Sequence, residues 1–117
     1  MSPRDWDLRI DDIIDALQVI ASYVDGITYD QWTNDRKTID AVLRKIEIIG
    51  EAAIHIPEDI QSRYPDIPWA QMRGIMNLLI HEYFGVDTDI IWQTITDDLP
   101  DLLKKITAVR YTSNGRQ

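Results

Sequence analysis

Apolar residues recur at intervals of three and four along most of the chain, which is the spacing of an amphipathic α-helix. The first predicted helix opens at Ser2 and Pro3 and closes at Gly26, and the second runs from near Asn34 to just before Pro57. The apolar faces comprise Ile10, Ile13, Ile14, Leu17, Ile20, Ala21 and Val24 in the first helix, and Ile39, Val42, Leu43, Ile46, Ile49, Ala53 and Ile56 in the second. Each segment therefore predicts a helix that buries one side.

The remaining segments also predict helices. A short helical turn lies between two prolines at 57–65, and a third long helix covers 67–85, with Pro68 in its first turn and Gly85 at its end. Thr88 could cap a shorter helix, and Pro100 opens a last one, with Leu102, Leu103, Ile106 and Val109 on its apolar face. Because no strand-like alternation is present and the connections are short, we expect an all-α, up-and-down bundle of four to five helices. It would form one domain over 1–110, followed by a polar tail at 111–117.

The third helix carries more apolar positions than one face of a small bundle needs. They are Met72, Ile75, Met76, Leu79 and Ile80. The excess predicts a symmetric interface between two copies of the chain, shared with Trp69 or Tyr83. The other tryptophans, Trp6, Trp32 and Trp92, lie in different segments and are interpreted as core or interface anchors.

Composition and charge narrow the classes of function. The 117 residues suit one domain, and the absence of cysteine excludes disulfides, thiol catalysis and thiolate metal sites. No run approaches the roughly 20 apolar residues of a membrane span, so we expect a cytoplasmic protein without a membrane partner. The net charge of −8 repels nucleic acid, so any such contact must be local or supplied partly by a second chain.

One polar strip on the third helix has the chemistry of an active site. Asn77 and His81 are four residues apart and share a helix face, and Arg73 lies one turn earlier. Such a strip could hold a phosphate and exchange a proton near neutral pH. From the residues alone the alternative stays open: the strip faces water, and the helix dipole favours the cation of His81 near a C-terminus.

Two further charged groups have simpler interpretations. Glu47, Glu51 and His55 are spaced by four on the second helix, but one helix supplies only part of a metal shell, so a polar stripe is favoured over a metal site. A basic cluster lies on the same helix and has no interleaved aromatic platform, which favours a solvated face over a nucleic-acid contact. Its members are Arg36, Lys37, Arg44 and Lys45.

Three stretches resemble the HepT-like branch of the HEPN family, the toxins of prokaryotic HEPN/MNT toxin–antitoxin pairs. They are IEIIGEAA at 46–53, YPDIPWAQMRGIMNLLIHEYFGVD at 64–87 and IIWQTITDDLPDLLKKI at 90–106, and the resemblance runs from about residue 5 to 108. It implies an all-α, HEPN-like homodimer that cuts RNA, with no metal and no cofactor, in a cleft where the two protomers' third long helices meet.

The family motif is an arginine, a polar residue, three further residues, a histidine and, two positions later, a tyrosine. Carried onto this chain, the polar residue is Asn77, the histidine is His81 and the tyrosine is Tyr83. The arginine falls on Met76, a departure at a catalytic position that predicts weakened activity, and Arg73 is a candidate substitute off the motif spacing.

The resemblance also implies a partner and leaves a rival function open. The antitoxin of this family is a small nucleotidyltransferase that adds AMP to the motif tyrosine, here Tyr83, whereas the residues alone suggest only a helix-end packing role for it. The rival function is a non-catalytic dimeric helical bundle that binds a nucleotidyltransferase or another protein.

Overall fold

The structure is a computed structural model, and its described residues are 5–74 and 88–115, with side-chain surroundings described up to residue 110. The helices are α1 (Asp5–Val24), α2 (Tyr29–Thr33), α3 (Arg36–Ile54), α4 (Glu58–Arg63), α5 (residues 69–74), α6 (Thr88–Gln93) and α7 (Leu99–Gly115), with a π-helical turn at Thr94–Asp98. No strand occurs within these two stretches. The all-α prediction is therefore confirmed.

Helices α1 and α3 bury the faces that their periodicity predicts. All seven apolar positions predicted for α3 and its C-terminal end are buried, from Ile39 to Ile56. On α1 the residues Ile10, Ile13 and Ile20 are at most 1% exposed, whereas Ala21 lies at the surface. The two helices pack against each other through these faces.

Sequence periodicity does not predict helix α2, because a helix of five residues is too short to show a repeat of apolar positions. A capping box forms it: the Gln31 backbone N–H donates to the Thr28 hydroxyl, and the Thr28 backbone N–H donates to Oε1 of Gln31. Gly26 allows the preceding turn with a φ of +75°, a left-handed conformation that favours glycine. The short helix places Trp32 in the core with none of its surface exposed.

The C-terminal part of the chain is helical without a break from Thr88 to Gly115. Pro100 lies in the first turn of α7, as predicted for the last helix, and this turn follows the π-helical turn directly. Proline has no N–H and crowds the preceding turn, and a wider π-turn relieves that crowding. Helix α7 continues to Gly115, five residues into the segment 111–117 that is predicted to be a polar tail.

Helix α1 lies between α3 and α7. Arg9 and Ala52 line one cavity, so the start of α1 lies near the end of α3 and the two helices are antiparallel. At the same end, Nε of Arg110 lies 2.8 Å from a carboxylate oxygen of Asp11, which brings the end of α7 to the start of α1. The shared cavity and the ion pair thus show that α1 runs antiparallel to both α3 and α7, which is an up-and-down arrangement.

Two apolar residues of the predicted third helix belong to the core of the protomer. Trp69 and Met72 of α5 are 5% and 1% exposed within a single chain. Helical periodicity does not distinguish the side of a helix that faces the protomer core from the side that faces a partner, so the symmetric interface stays a prediction. The rest of the predicted third helix, from residue 75 to 85, lies outside the described residues.

Among the described residues, no helix combines the length and the apolar character that crossing a bilayer requires.

The N-cap of α3 should make stability depend on pH. The Thr38 hydroxyl and backbone N–H donate to the Asp35 carboxylate at 2.6 and 3.1 Å, and these bonds hold the pKa of that carboxyl below its usual range. A lowered pKa in the folded state stabilises the fold above the usual aspartate pKa of about 3.9, and this contribution is lost as the pH falls further. Asp35→Ala should therefore lower the free energy of unfolding at neutral pH and have a smaller effect near pH 2.5, measured by urea denaturation.

Asp25→Ala is the control for this test, because Asp25 is an exposed aspartate in the turn after α1. It should change the free energy of unfolding little at either pH. An Asp35→Ala effect of the same size at both pH values would show that the charge on the cap is unimportant.

Candidate functional site

The described residues include one of the five predicted site positions. Arg73 lies near the end of α5. Met76, Asn77, His81 and Tyr83 fall within 75–87 and lie outside the described residues. The structure therefore defines the chain on either side of the motif.

Arg73 is half-buried and is held by a chain of two hydrogen bonds. Its Nη1 donates to Oε1 of Gln61 at 2.9 Å, and Nε2 of Gln61 donates to the backbone carbonyl of Ile56 at 2.9 Å. The Arg73 side chain of α5 is thereby linked through Gln61 of α4 to the backbone just after α3. A guanidinium carries five N–H donors in a planar fork, so a bond to Gln61 orients the group while using only one of them.

A second set of contacts holds the chain directly after the motif. Nε1 of Trp32 donates to the backbone carbonyl of Thr88 at 3.1 Å, and the Tyr29 hydroxyl donates to the Asp89 carboxylate. The Trp92 ring packs at centroid distances of 5.4 Å from Trp32 and 6.2 Å from Tyr29. Helix α2 therefore fixes the start of α6. Sequence periodicity missed this anchor, and the only local signal for it was the capping box at Thr28 and Gln31.

The stripe on α3 is organised by ion pairs along the helix. Nε2 of His55 lies 3.2 Å from a carboxylate oxygen of Glu51, and Nη1 of Arg44 lies 3.2 Å from one of Glu47. These side chains are at or near the surface, as a solvated polar stripe requires. No group of three histidine, cysteine, aspartate or glutamate side chains is placed to hold a metal within 5–74 and 88–110.

The basic cluster on the same helix is partly neutralised. Nε of Arg36 lies 3.2 Å from a carboxylate oxygen of Asp40, and both side chains are exposed. Together with the pair between Arg44 and Glu47, this contact cancels two of the four cations of the cluster locally. The cluster is thus a weak attractor for a phosphate backbone.

Comparison with known proteins places the chain among ribonucleases. The family described as Ribonuclease HepT-like matches residues 13–109. The chain is 40% identical over 101 residues to the probable ribonuclease HepT of Thermococcus cleftensis, covering 86% of this chain and 92% of that protein. A candidate RNase of Methanocaldococcus jannaschii is 35% identical over 109 residues, 93% of this chain and 100% of that protein. A candidate RNase of Caldanaerobacter subterraneus subsp. tengcongensis is 33% identical over 108 residues, 92% of this chain and 94% of that protein. No solved structure gives a significant match.

The anchor formed by α2 should be strong in its buried part and weak at its surface. Trp32→Ala removes a fully buried ring and its bond to Thr88, so it should cost about 3–5 kcal/mol of unfolding free energy. Tyr29→Phe removes only a hydroxyl from a side chain that is 42% exposed and should cost about 1 kcal/mol or less. Tyr23→Phe, at the same exposure on α1, is the matched control and should be neutral. Urea denaturation measures all three, and equal effects of Trp32→Ala and Tyr23→Phe would contradict the anchor.

Proposed function

The chain belongs to the HepT-like ribonuclease family, and we propose that it is an endoribonuclease that serves as the toxin of a HEPN/MNT toxin–antitoxin pair in the cytoplasm. The observation that carries the proposal is the family match over residues 13–109, which spans the bundle and the whole motif segment. The tethered Arg73 supports it, because this cation lies four residues before Asn77 and eight before His81 in the sequence.

The proposed reaction takes its nucleophile from the substrate. The 2′-oxygen of a ribose attacks the adjacent phosphorus, the bond from phosphorus to the 5′-oxygen breaks, and a 2′,3′-cyclic phosphate and a 5′-hydroxyl form. The 2′-hydroxyl loses its proton and the leaving 5′-oxygen gains one. We assign these proton transfers to His81, because an imidazole can both accept and donate a proton near neutral pH. Asn77 would donate to a phosphoryl oxygen without adding charge.

Met76 is the reason to propose an attenuated enzyme. A thioether cannot donate a hydrogen bond to a phosphoryl oxygen, whereas the arginine of the family motif offers a fork of donors to the charge that develops there. Arg73 is the alternative cation. The same substitution favours the second candidate function, a non-catalytic dimeric bundle that binds its nucleotidyltransferase or another protein.

We propose that the active form is a homodimer. A symmetric pair places two copies of one helix face to face and doubles the titratable and cationic groups in a single cleft, which would let a chain of net charge −8 hold RNA. Because Trp69 and Met72 are buried in the protomer, the interface is assigned to positions Ile75, Met76, Leu79 and Ile80.

Restoring the motif arginine should raise activity. Met76→Arg is expected to increase the rate of RNA cleavage by on the order of a hundredfold, since losing such a charge-stabilising group typically costs that much. Adding His81→Ala should abolish the gain. Cleavage of a labelled RNA and growth arrest on expression are the measurements. If the unaltered chain already cleaves as fast as Met76→Arg, and Arg73→Ala destroys that activity, then Arg73 carries the role instead.

Tyr83 should accept AMP from the cognate nucleotidyltransferase. The phenol would attack the α-phosphate of ATP and release pyrophosphate, and the bound AMP would put bulk and negative charge where RNA must lie. Intact mass before and after incubation with the enzyme, ATP and magnesium measures the transfer. Tyr83→Phe should remove the mass gain and Tyr23→Phe should keep it. An undiminished gain on Tyr83→Phe would assign the acceptor to another residue.

The oligomeric state is directly measurable. Light scattering at micromolar concentration should give twice the mass of one chain, and Leu79→Arg should shift the protein toward the monomer because it places a charge in an apolar interface. A monomer for the unaltered chain would remove the composite cleft from the proposal.

A further inference from the structure

A shallow cavity of about 370 Å³ lies between α4 and α5, next to Arg73. Gln61 and Ser62 of α4 line one side, and Gln71 and Arg73 of α5 line the other. Arg73 is the one charged side chain among the described residues of this lining, and no carboxylate is among them. The cavity thus offers a cation with amide and hydroxyl groups around it.

Two other cavities among the described residues are lined by carboxylates. The larger of these, of about 580 Å³, lies between α5 and α7, shares Gln71 with the cavity at Arg73, and is lined by four aspartates and one lysine. These are Asp66, Asp97, Asp98, Asp101 and Lys105. The smaller, of about 330 Å³, lies between α1 and α3 and is lined by three carboxylates and two arginines. Compared with these two, the cavity at Arg73 has a described lining with a cation and no carboxylate, which favours a phosphate on a chain of net charge −8.

The Arg73 guanidinium in this cavity is preorganised for binding an anion. The hydrogen bonds from Arg73 to Gln61 and from Gln61 to the Ile56 carbonyl fix the guanidinium before any ligand arrives. A preset side chain loses less conformational entropy on binding than a free surface arginine does. Ser62 and Gln71 are exposed and can add neutral hydrogen bonds to an anion.

The aromatic ring in the cavity wall is not a stacking platform. Trp69 is 5% exposed, and its Nε1 donates to the Tyr64 carbonyl at 3.1 Å. Bases of single-stranded RNA bind by stacking on exposed rings, whereas phosphates bind to arginine and to neutral donors. The described lining therefore suits the RNA backbone and has no exposed ring on which a base could stack.

We propose that this cavity is a binding subsite for a phosphate of single-stranded RNA beside the cleaved one, with Arg73 as its anion-binding group. The inference rests on the proposed ribonuclease function. It adds a binding position for the RNA backbone next to the cleaved phosphate. Binding at this subsite is independent of base sequence and weakens with salt, because each phosphate that a cation neutralises releases counterions. Arg73 then contributes to RNA affinity, whereas His81 contributes to the chemical step.

Fluorescence anisotropy with a short 2′-O-methyl RNA tests the subsite, because that RNA binds but has no 2′-hydroxyl to attack. Arg73→Gln should weaken binding roughly tenfold, the scale of one charge-assisted hydrogen bond. It should also reduce the slope of log affinity against log salt by about 1. A merely structural role for Arg73 would leave that slope unchanged.

Charge changes at Gln71 provide a test that does not depend on Arg73. Gln71→Lys should tighten binding severalfold and Gln71→Glu should weaken it by a similar factor. Gln18→Lys and Gln18→Glu are the matched controls, because Gln18 is exposed on α1 and the net charge changes equally. Both control variants should alter the affinity much less.

The outcomes separate the subsite from the proposed function. An unchanged salt slope in Arg73→Gln, or equal effects at Gln71 and Gln18, would overturn the subsite while cleavage that depends on His81 would still stand. Slower cleavage by Arg73→Gln with unchanged binding would assign Arg73 to the chemical step and also overturn the subsite. If the unaltered chain does not bind RNA and Met76→Arg does not cleave it, both proposals fail.

Discussion

The packing of α1 between α3 and α7 is the interaction on which the rest of the structure depends. Ile10, Ile13 and Ile20 lose nearly all contact with water there, and full burial of such side chains stabilises a fold by about 1.5–3 kcal/mol each. Arg110 of α7 forms ion pairs with Asp7 and Asp11 near the start of α1. These pairs are partly exposed, so they contribute much less to stability than the buried isoleucines. The three long helices α1, α3 and α7 therefore form the frame of the fold, and the shorter helices pack onto it.

The motif segment is attached to this frame at both ends by different elements. Before it, Arg73 is tied through Gln61 to the backbone at the end of α3. After it, the Thr88 carbonyl is bound by Trp32, which α2 buries in the core. Under the proposed mechanism, a substitution in α2 or α4 would slow RNA cleavage without touching the substrate, because it displaces an end of the segment that carries Asn77 and His81.

Electrostatics sets the second constraint on function. A chain of net charge −8 can bind a polyanion only where cations converge and carboxylates are absent. The cations of α3 are partly neutralised by their own helix, as the pairs of Arg36 with Asp40 and Arg44 with Glu47 show. Arg73 has an amide oxygen of Gln61 as its described partner instead, which orients the guanidinium and leaves its charge uncompensated by that contact.

Sequence periodicity predicted α1, α3 and the buried face of α7, because long helices repeat their apolar positions over several turns. It missed α2, which is too short to show a period, and the π-helical turn, which depends on the geometry before Pro100. It also could not tell that Trp69 and Met72 face the protomer core, because the periodicity is the same for a face that contacts a partner. The contact between Arg73 and Gln61 joins two helices across a turn, so no local pattern predicts it.

The assignments of Met76, Asn77, His81 and Tyr83 come from the family resemblance and stay predictions. The domain limits at 110 and 111 also stay predictions.

The central claim is that this fold cuts RNA through the substrate's own 2′-hydroxyl, and the chemical ends of the products test it most directly. Products made by the Met76→Arg variant in the presence of EDTA can be analysed by mass spectrometry. The account predicts 2′,3′-cyclic phosphate and 5′-hydroxyl ends, formed at the same rate with and without the chelator. Products with 3′-hydroxyl and 5′-phosphate ends, or cleavage that stops when EDTA is added, would contradict it.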